Sequence, residues 1–474
     1  MTTLRATDAF LVGAVKLLTS ALVLATGVRA VSDDDYARIV IAQRFAEAPS
    51  LDPSGTSWLP APFWIYGTAF TLFGDGLGVA RTTALVLGVA AVLAVFVAAR
   101  WLGASHAGAM LAALGASVLS WSAWLGAAAL PEAPTSGLVV LGMAAASAND
   151  PRRRLVGACA LALACFCRYE AWPVAVVFCV LTAVDARRER AWRRAASAFV
   201  AILPIALWLA HGVVRHDDAL FFWKRVASYK QALSGGGAAW LEPFLALGAH
   251  ALLLAVTAFA LAYRAKIRSE SLAPFARGFS CAGALVVFLV AGSVGGAAPT
   301  HHAARALLPV LLFLFCVIGH VASPVLEGPR WYNAVVAALV ALYPWKVLSP
   351  PKDFAARELE LHIGDRARGL GAPALLIDTD DFGYLAVTAA FRNPHATLPM
   401  NDRDPRQPAV SDPFASLETL RSRVEMTPNA WLITTTAHAP LAEKLGSVRA
   451  RNERFTLVEP EKRRGPRAPN AASK

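Results

Sequence analysis

The sequence predicts an α-helical polytopic membrane protein that carries a small C-terminal α/β domain. Three observations support this class. Apolar residues make up 56% of the 474 positions and charged residues 16%, too few charges to coat a soluble protein of this size. The apolar residues are clumped, so that 83–99, 195–210 and 279–294 hold no charge and approach the roughly 20 residues that a bilayer core demands. From residue 349 the composition turns polar, and short apolar runs alternate with a helical pattern.

The chain opens with Arg5 and an apolar run from Phe10 to Val28. No A-x-A site precedes the acidic residues that follow, so the run is expected to be an uncleaved first span, with Lys16 snorkelling to its cytoplasmic end. Further spans are expected near 79–99, 107–127, 134–149, 155–167, 173–185, 195–212, 244–262, 279–296, 306–322 and 331–348, about eleven in all. Those at 155–167 and 173–185 are short. They are expected to be tilted, broken around Arg168–Trp172, or joined as one re-entrant unit.

Alternate connections are basic. Arg100, Arg152–Arg154, Arg187, Arg188, Arg190, Arg193, Arg194, Arg264, Lys266, Arg268 and Arg277 fall on one side, and the opposite connections are poor in Lys and Arg. The positive-inside rule places the basic side and the N-terminus in the cytoplasm. An odd number of spans then puts the C-terminal domain outside the cytoplasmic (inner) membrane.

Two longer segments fall on that outer side. In the first, Ile39, Ala42 and Phe45 recur at helical spacing after Asp33-Asp34-Asp35, which predicts an amphipathic helix lying on the membrane. In the second, Phe221-Phe222-Trp223 precede Tyr229 and Gly235–Gly237, predicting an interfacial helix with aromatic anchors and a flexible hinge. The expected organisation is a membrane body over 1–348, an α/β domain over 349–458 and a disordered basic tail over 459–474. Within the domain, strands are expected at Ala374–Ile377, Trp431–Thr434 and Phe455–Val458, with a helix over Ser416–Glu425.

The net charge of +12 could suggest a nucleic-acid partner. The segment from residue 349 onward, however, carries 18 Lys+Arg against 16 Asp+Glu, so most of the excess sits in short loops of the membrane body. It is an orientation signal, and no nucleic-acid partner is expected. The six cysteines lie in or beside apolar segments and read as small buried hydrophobes without a disulfide framework.

Ionisable groups at span ends are the first candidates for chemistry in a membrane protein. On the outer side these are Asp33, Asp34, Asp35, Arg81, Glu132, Arg168, Glu170, His301, His302 and Arg305. A carboxylate can take the proton of a hydroxyl nucleophile. Arginine and histidine can hold a phosphate leaving group, while apolar surroundings accept a lipid tail.

Pro60-Ala61-Pro62-Phe63-Trp64-Ile65-Tyr66-Gly67, running on to Phe70–Gly74, resembles the first outer loop of GT-C glycosyltransferases of the protein O-mannosyltransferase and aminoarabinose-transferase type. In that family an acidic pair opens the loop and an arginine sits near the start of the next span, as Arg81 does. Glu132 in Leu130–Pro134 resembles the second acidic position. Thr300–Pro309, with Arg305 and with Ala306 in place of an aromatic, resembles the late arginine-to-proline motif. The likeness covers roughly residues 1–320 through an ordered set of short motifs. In the family the acidic pair stands a few residues before a tyrosine, whereas Asp35 directly precedes Tyr36.

The resemblance implies transfer of a sugar, with inversion, from a polyprenyl-phosphate donor to a hydroxyl of a lipid, glycan or protein acceptor on the outer face. An aspartate would be the general base, Asp34 first, Asp33 next and Asp35 after it. Arg81, Arg168 or Arg305, helped by His301, would hold the lipid phosphate. No cofactor or metal is expected, since His301 and His302 point different ways along the chain and no third ligand accompanies them.

Other readings of the same residues stand beside this one. Ser32–Asp35 forms a helix cap, and Arg168 with Glu170 forms a local ion pair with Trp172 as an interfacial anchor. A transporter or flippase for a lipid-linked or anionic solute is the rival function. It calls for inverted repeats and mid-membrane polar groups, whereas the polar groups here collect at span ends. A scaffold whose outer domain binds a partner is the third.

Overall fold

The computed structural model describes residues 5–190, 192–232, 241–248, 250, 253, 257, 259, 273–294, 303–326, 347–352, 354, 356–379, 381–400, 406 and 412–461. The chain starts with α1 (Ala6–Ala25), α2 (Asp33–Glu47), α3 (Ala61–Phe73) and α4 (Leu77–Trp101). Then follow α5 (His106–Val118), α6 (Ser120–Leu125), α7 (Glu132–Ala145), α8 (Pro151–Cys165), α9 (Ala171–Glu189) and α10 (Trp192–His216). After α11 (Phe221–Ala232) and α12 (Glu242–Gly248) come α13 (Ala273–Val294), α14 (Ala303–Ala306) and α15 (Leu308–Leu326).

Among these, α1, α4, residues 195–216 of α10 and residues 275–294 of α13 are long and apolar enough to cross a bilayer, and α5 and α15 are shorter apolar helices. The expected pair of short spans is two helices, α8 and α9, separated by a break that carries Arg168 and Glu170. Most of the expected spans at 331–348 and 244–262, the Gly235–Gly237 hinge, His301, His302 and most of the basic tail lie outside the described residues.

Small residues set the helix spacing. A Cβ on Gly108 of α5 would lie 2.1 Å from the Gly319 carbonyl oxygen of α15, and one on Gly319 would lie 2.4 Å from the Gly108 oxygen. The two backbones therefore touch, the packing mode that works where lipid removes any hydrophobic drive between helices. At the basic end of the bundle, Asp185 of α9 binds Arg154 of α8 at 2.5 Å and Arg277 of α13 at 2.5 and 2.9 Å. This joint fixes three helices where the loops are richest in arginine.

Three expectations are corrected. Lys16 does not snorkel: it is 1% exposed, and its Nζ donates to the Ser122 carbonyl at 2.5 Å, because α6 closes over the middle of α1. The helix over Asp33–Glu47 forms, but it does not lie on the membrane. Tyr36, Ile39, Val40 and Ala42 pack against Tyr66 and Phe70 of α3, Ala80 and Ala84 of α4, and Ala386 and Ala389 of the C-terminal domain. On α11, Phe221 and Phe222 turn inward to Leu59, Tyr169, Trp172 and Trp208 and so do not anchor at an interface.

The C-terminal domain comprises α16 (Glu358–Gly369), β1 (Ala374–Ile377), α17 (Tyr384–Phe391), β2 (Thr397–Pro399), α18 (Leu417–Glu425), β3 (Ala430–Thr435), a short α19 (Ala439–Ala442), β4 (Gly446–Arg451) and β5 (Phe455–Pro460). The sheet order is β2-β1-β3-β5-β4. β2, β1 and β3 are parallel, and β5 and β4 add antiparallel. The three expected strands and the helix capped by Ser416 are present. β2 and β4 were not legible, since β2 has three residues and β4 is largely exposed. Gln43 of α2 donates to the Ala389 carbonyl at 3.0 Å, so the domain docks on α2 at one end of the bundle.

Candidate active site

The three consecutive aspartates at the start of α2 separate because successive helical residues point about 100° apart. Each finds a different partner. Asp35 is 2% exposed and accepts from the amides of Val31 at 3.0 Å, Ser32 at 3.3 Å and Ala129 at 2.8 Å. Ser32 is the N-cap of α2 and Asp35, at N3, accepts from the Ser32 amide in a capping box, as the cap reading of the sequence expects. Burial pushes the Asp35 carboxyl up to about 6, against the pull of those amides and of Arg81. Asp33 is clasped by Arg357, with Nε to Oδ1 and Nη2 to Oδ2 both at 2.8 Å.

Asp34 faces the bundle. Its Oδ2 lies 3.5 Å from Arg305 Nη2, and its side chain is 38% exposed. Behind it Glu132, at the start of α7, is buried, with Oε1 2.6 Å from Arg168 Nη1 and 3.4 Å from Arg305 Nε. Arg168 also holds Glu170 through Nε at 3.0 Å and through Nη2. The local ion pair that the sequence suggested is thus part of a larger cluster.

Arg38, one turn after Asp34 on α2, is buried beside the same group. Its guanidinium sits 4.4 Å from the Trp58 ring centroid. Neither Arg38 Nε nor Arg305 Nη1 has a hydrogen-bond partner. Buried donors of this kind are costly unless something accepts from them. Arg38 and Trp58 were not anticipated from the sequence. The spacing of Asp34 and Arg38, one helical turn apart, was the available signal.

Arg81 is elsewhere. It donates to the carbonyls of Ala127 and Arg29 and lies beside Asp35, on a cavity of about 220 Å³ that Asp35, Tyr36 and Leu361 also line. Tyr36 donates its hydroxyl to the Ala356 carbonyl at 3.2 Å. Asp34, Glu132, Arg168, Glu170 and Arg305 therefore come together, while Asp33, Asp35, Tyr36 and Arg81 form the joint behind them.

One group among the described residues could hold a divalent cation: Asp52, His211 and His216, whose ligand atoms lie within 4.8 Å of one another. His211 Nε2 is 3.2 Å from Asp52 Oδ2. Stacking on Trp208 and Phe221 orients the two rings. Asp and His are suitable donors for such an ion.

No protein-family model matches the sequence, and no curated protein matches it. Solved structures do. The crystal structure of ArnT from Cupriavidus metallidurans bound to undecaprenyl phosphate is similar with a TM-score of 0.65 and 16% identity, covering 96% of this chain and 98% of that one. The apo form of the same ArnT is similar with a TM-score of 0.62 and 15% identity, covering 93% and 97%. The likeness is one of fold: the chain has the fold of ArnT, a polytopic helical membrane body with a C-terminal α/β domain.

Proposed function

We propose that this protein is a membrane glycosyltransferase that moves a sugar from a polyprenyl-phosphate donor to an acceptor hydroxyl at the outer face of the cytoplasmic membrane. The observation that carries the reading is the half-exposed Asp34 set 3.5 Å from Arg305, in a buried cluster where Arg305 Nη1 and Arg38 Nε have no hydrogen-bond partner. A carboxylate open to solvent beside under-satisfied guanidiniums suits a proton acceptor next to an anion site. The ArnT of the same fold binds undecaprenyl phosphate, and a lipid phosphate here would supply acceptors to the under-satisfied arginines.

In this reading the acceptor hydroxyl gives its proton to Asp34 as its oxygen attacks the anomeric carbon. The bond from that carbon to the phosphate oxygen breaks, and configuration inverts. Polyprenyl phosphate leaves with its negative charge held by Arg305 and Arg38. Arg168 is already engaged by Glu132 and Glu170, so it shapes the cluster and keeps Glu132 ionised next to Arg305. Asp33 and Asp35, each occupied by other partners, hold the helix end that presents Asp34.

The test is transfer from defined polyprenyl-phosphate sugars in nanodiscs. Asp34→Asn is expected to abolish transfer at unchanged protein abundance. Full activity in that variant removes Asp34 as the base. Movement of intact donor across the bilayer without sugar transfer replaces the enzyme with a flippase.

A further inference from the structure

Asp33 and Asp34 are neighbours in the first turn of α2, and their partners come from distant parts of the chain. Arg357, just before α16, is 324 residues from Asp33 in sequence and meets it with two hydrogen bonds. Its remaining nitrogen, Nη1, binds Asp381 at 2.7 Å and Glu360 at 3.2 Å. Arg454 closes the network on the far side, 2.7 Å from Glu360 and 3.7 Å from Asp381.

The backbone at Arg357 is left-handed, with φ of 51°. A residue with a Cβ stays in that region only where its surroundings over-determine it. Here the side chain is pinned at three carboxylates, and the adjacent Ala356 carbonyl accepts from Tyr36 of α2. The C-terminal domain thus grips the first turn of α2 through side chain and backbone together.

We propose that Arg357 is a positioning residue for the acid of this site: by holding and neutralising Asp33, the C-terminal domain fixes the first turn of α2 and keeps Asp34 turned to Arg305. This rests on the glycosyltransferase reading above. Two adjacent carboxylates in one helical turn repel each other, and an unpaired Asp33 would disfavour the charged form of its neighbour. The groups that face Asp34 are then sorted. Arg38 comes from α2, Glu132 from α7, Arg168 from the α8–α9 break and Arg305 from the α14–α15 segment. On the other side of α2, Asp33 is offset by Arg357, which Glu360, Asp381 and Arg454 hold in place.

The experiment is the pH profile of kcat/KM for sugar transfer by the full-length protein in nanodiscs, in Arg357→Gln, Arg357→Lys, Asp33→Asn and the double variant Asp33→Asn/Arg357→Gln. Arg357→Gln is expected to move the acid limb up by about one pH unit, the size of effect that an uncompensated neighbouring charge exerts near a protein surface. It should also lower kcat/KM about tenfold at neutral pH. Arg357→Lys should move the limb less, because it keeps the charge and loses the paired geometry.

The double variant should bring the limb back to its wild-type position even if the rate stays low, since the repelling charge is gone. A loosened domain without electrostatic coupling would lower the rate of every variant and leave the limb where it was. An unmoved limb in both Arg357 variants, or a double variant that tracks Arg357→Gln, overturns the proposal. Where Arg357→Gln does not accumulate, Arg357→Lys is read by the same criterion. Absence of sugar transfer by the wild type, by contrast, overturns the glycosyltransferase assignment, and a fully active Asp34→Asn removes Asp34 as the base, whatever the Arg357 variants do.

Discussion

Arg168 and Glu132, 36 residues apart in sequence, meet at 2.6 Å with the Glu132 side chain 1% exposed. The pair joins the start of α7 to the break between α8 and α9, and Arg305 leans on the same carboxylate oxygen. A buried carboxylate shared by two guanidiniums is expensive to remove, because it leaves Arg168 with Glu170 alone and Arg305 with Asp34 alone, and so leaves positive charge buried and under-compensated.

Glu132→Ala should therefore cost stability on the order of 3–5 kcal/mol, and Glu132→Gln less, since the amide oxygen still accepts. Melting temperature and monodispersity in detergent measure this. A melting temperature for Glu132→Ala equal to wild type contradicts the account of the cluster.

Arg305 meets its partners at 3.4 and 3.5 Å and has an unpaired Nη1, so its contribution should appear on ligand binding. Arg305→Gln is expected to weaken polyprenyl-phosphate binding by tenfold or more, the loss of a charge-assisted bond worth about 1.5–3 kcal/mol. Titration with polyprenyl phosphate in nanodiscs measures it, with polyprenol lacking the phosphate as the comparison. Equal affinity of wild type and variant for the phosphate argues against the anion site.

Asp35 makes a pH prediction with a definite sign. Its carboxyl is pushed up to about 6 by burial, above its ordinary value of 3.8. Between about pH 4 and pH 6 the folded protein holds a proton that the unfolded chain releases. Through this group, stability is therefore greatest below that window and falls as pH rises across it, by at most on the order of 3 kcal/mol. The stability of wild type relative to Asp35→Asn should decline from pH 4 to pH 7, as measured by paired thermal melts. A difference that grows with pH contradicts the burial of Asp35.

Gly319→Val should separate α5 from α15, because its Cβ would sit 2.4 Å from the Gly108 carbonyl oxygen and 3.1 Å from the Ala112 Cβ. The expected loss is about 1–3 kcal/mol or more. Gly283, where a Cβ meets nothing within 4 Å, is the control. Substitution to Val there should leave the melting temperature within a degree or two of wild type.

Much of the fold was legible in the amino-acid order. Many long apolar runs free of charge mark membrane helices, because a soluble core can bury one such helix but not a whole series of them. The polar turn after residue 349 marks the α/β domain for the converse reason. The break at Arg168–Glu170 could also be read, since charged residues interrupt an apolar stretch. Lys16 was misread because snorkelling is the default for an isolated charge near a span end, and nothing local announces that Ser122 will supply a carbonyl. Helix α2 was seen as a helix but assigned the wrong surroundings. Its apolar stripe is the same whether lipid or another part of the chain covers it.

The same division runs through the site. Sequence alone determined the acids and arginines at span ends as candidates, because ionisable groups there are few and costly. It could not decide among Asp33, Asp34 and Asp35, which share chemistry and turn. That choice depends on partners far along the chain: Arg357 for Asp33, Arg305 for Asp34, and the Ala129 amide for Asp35. The helical rotation of about 100° per residue sends three identical side chains in three directions, and what waits in each direction is set by the packing of helices and domain, which only the tertiary structure decides.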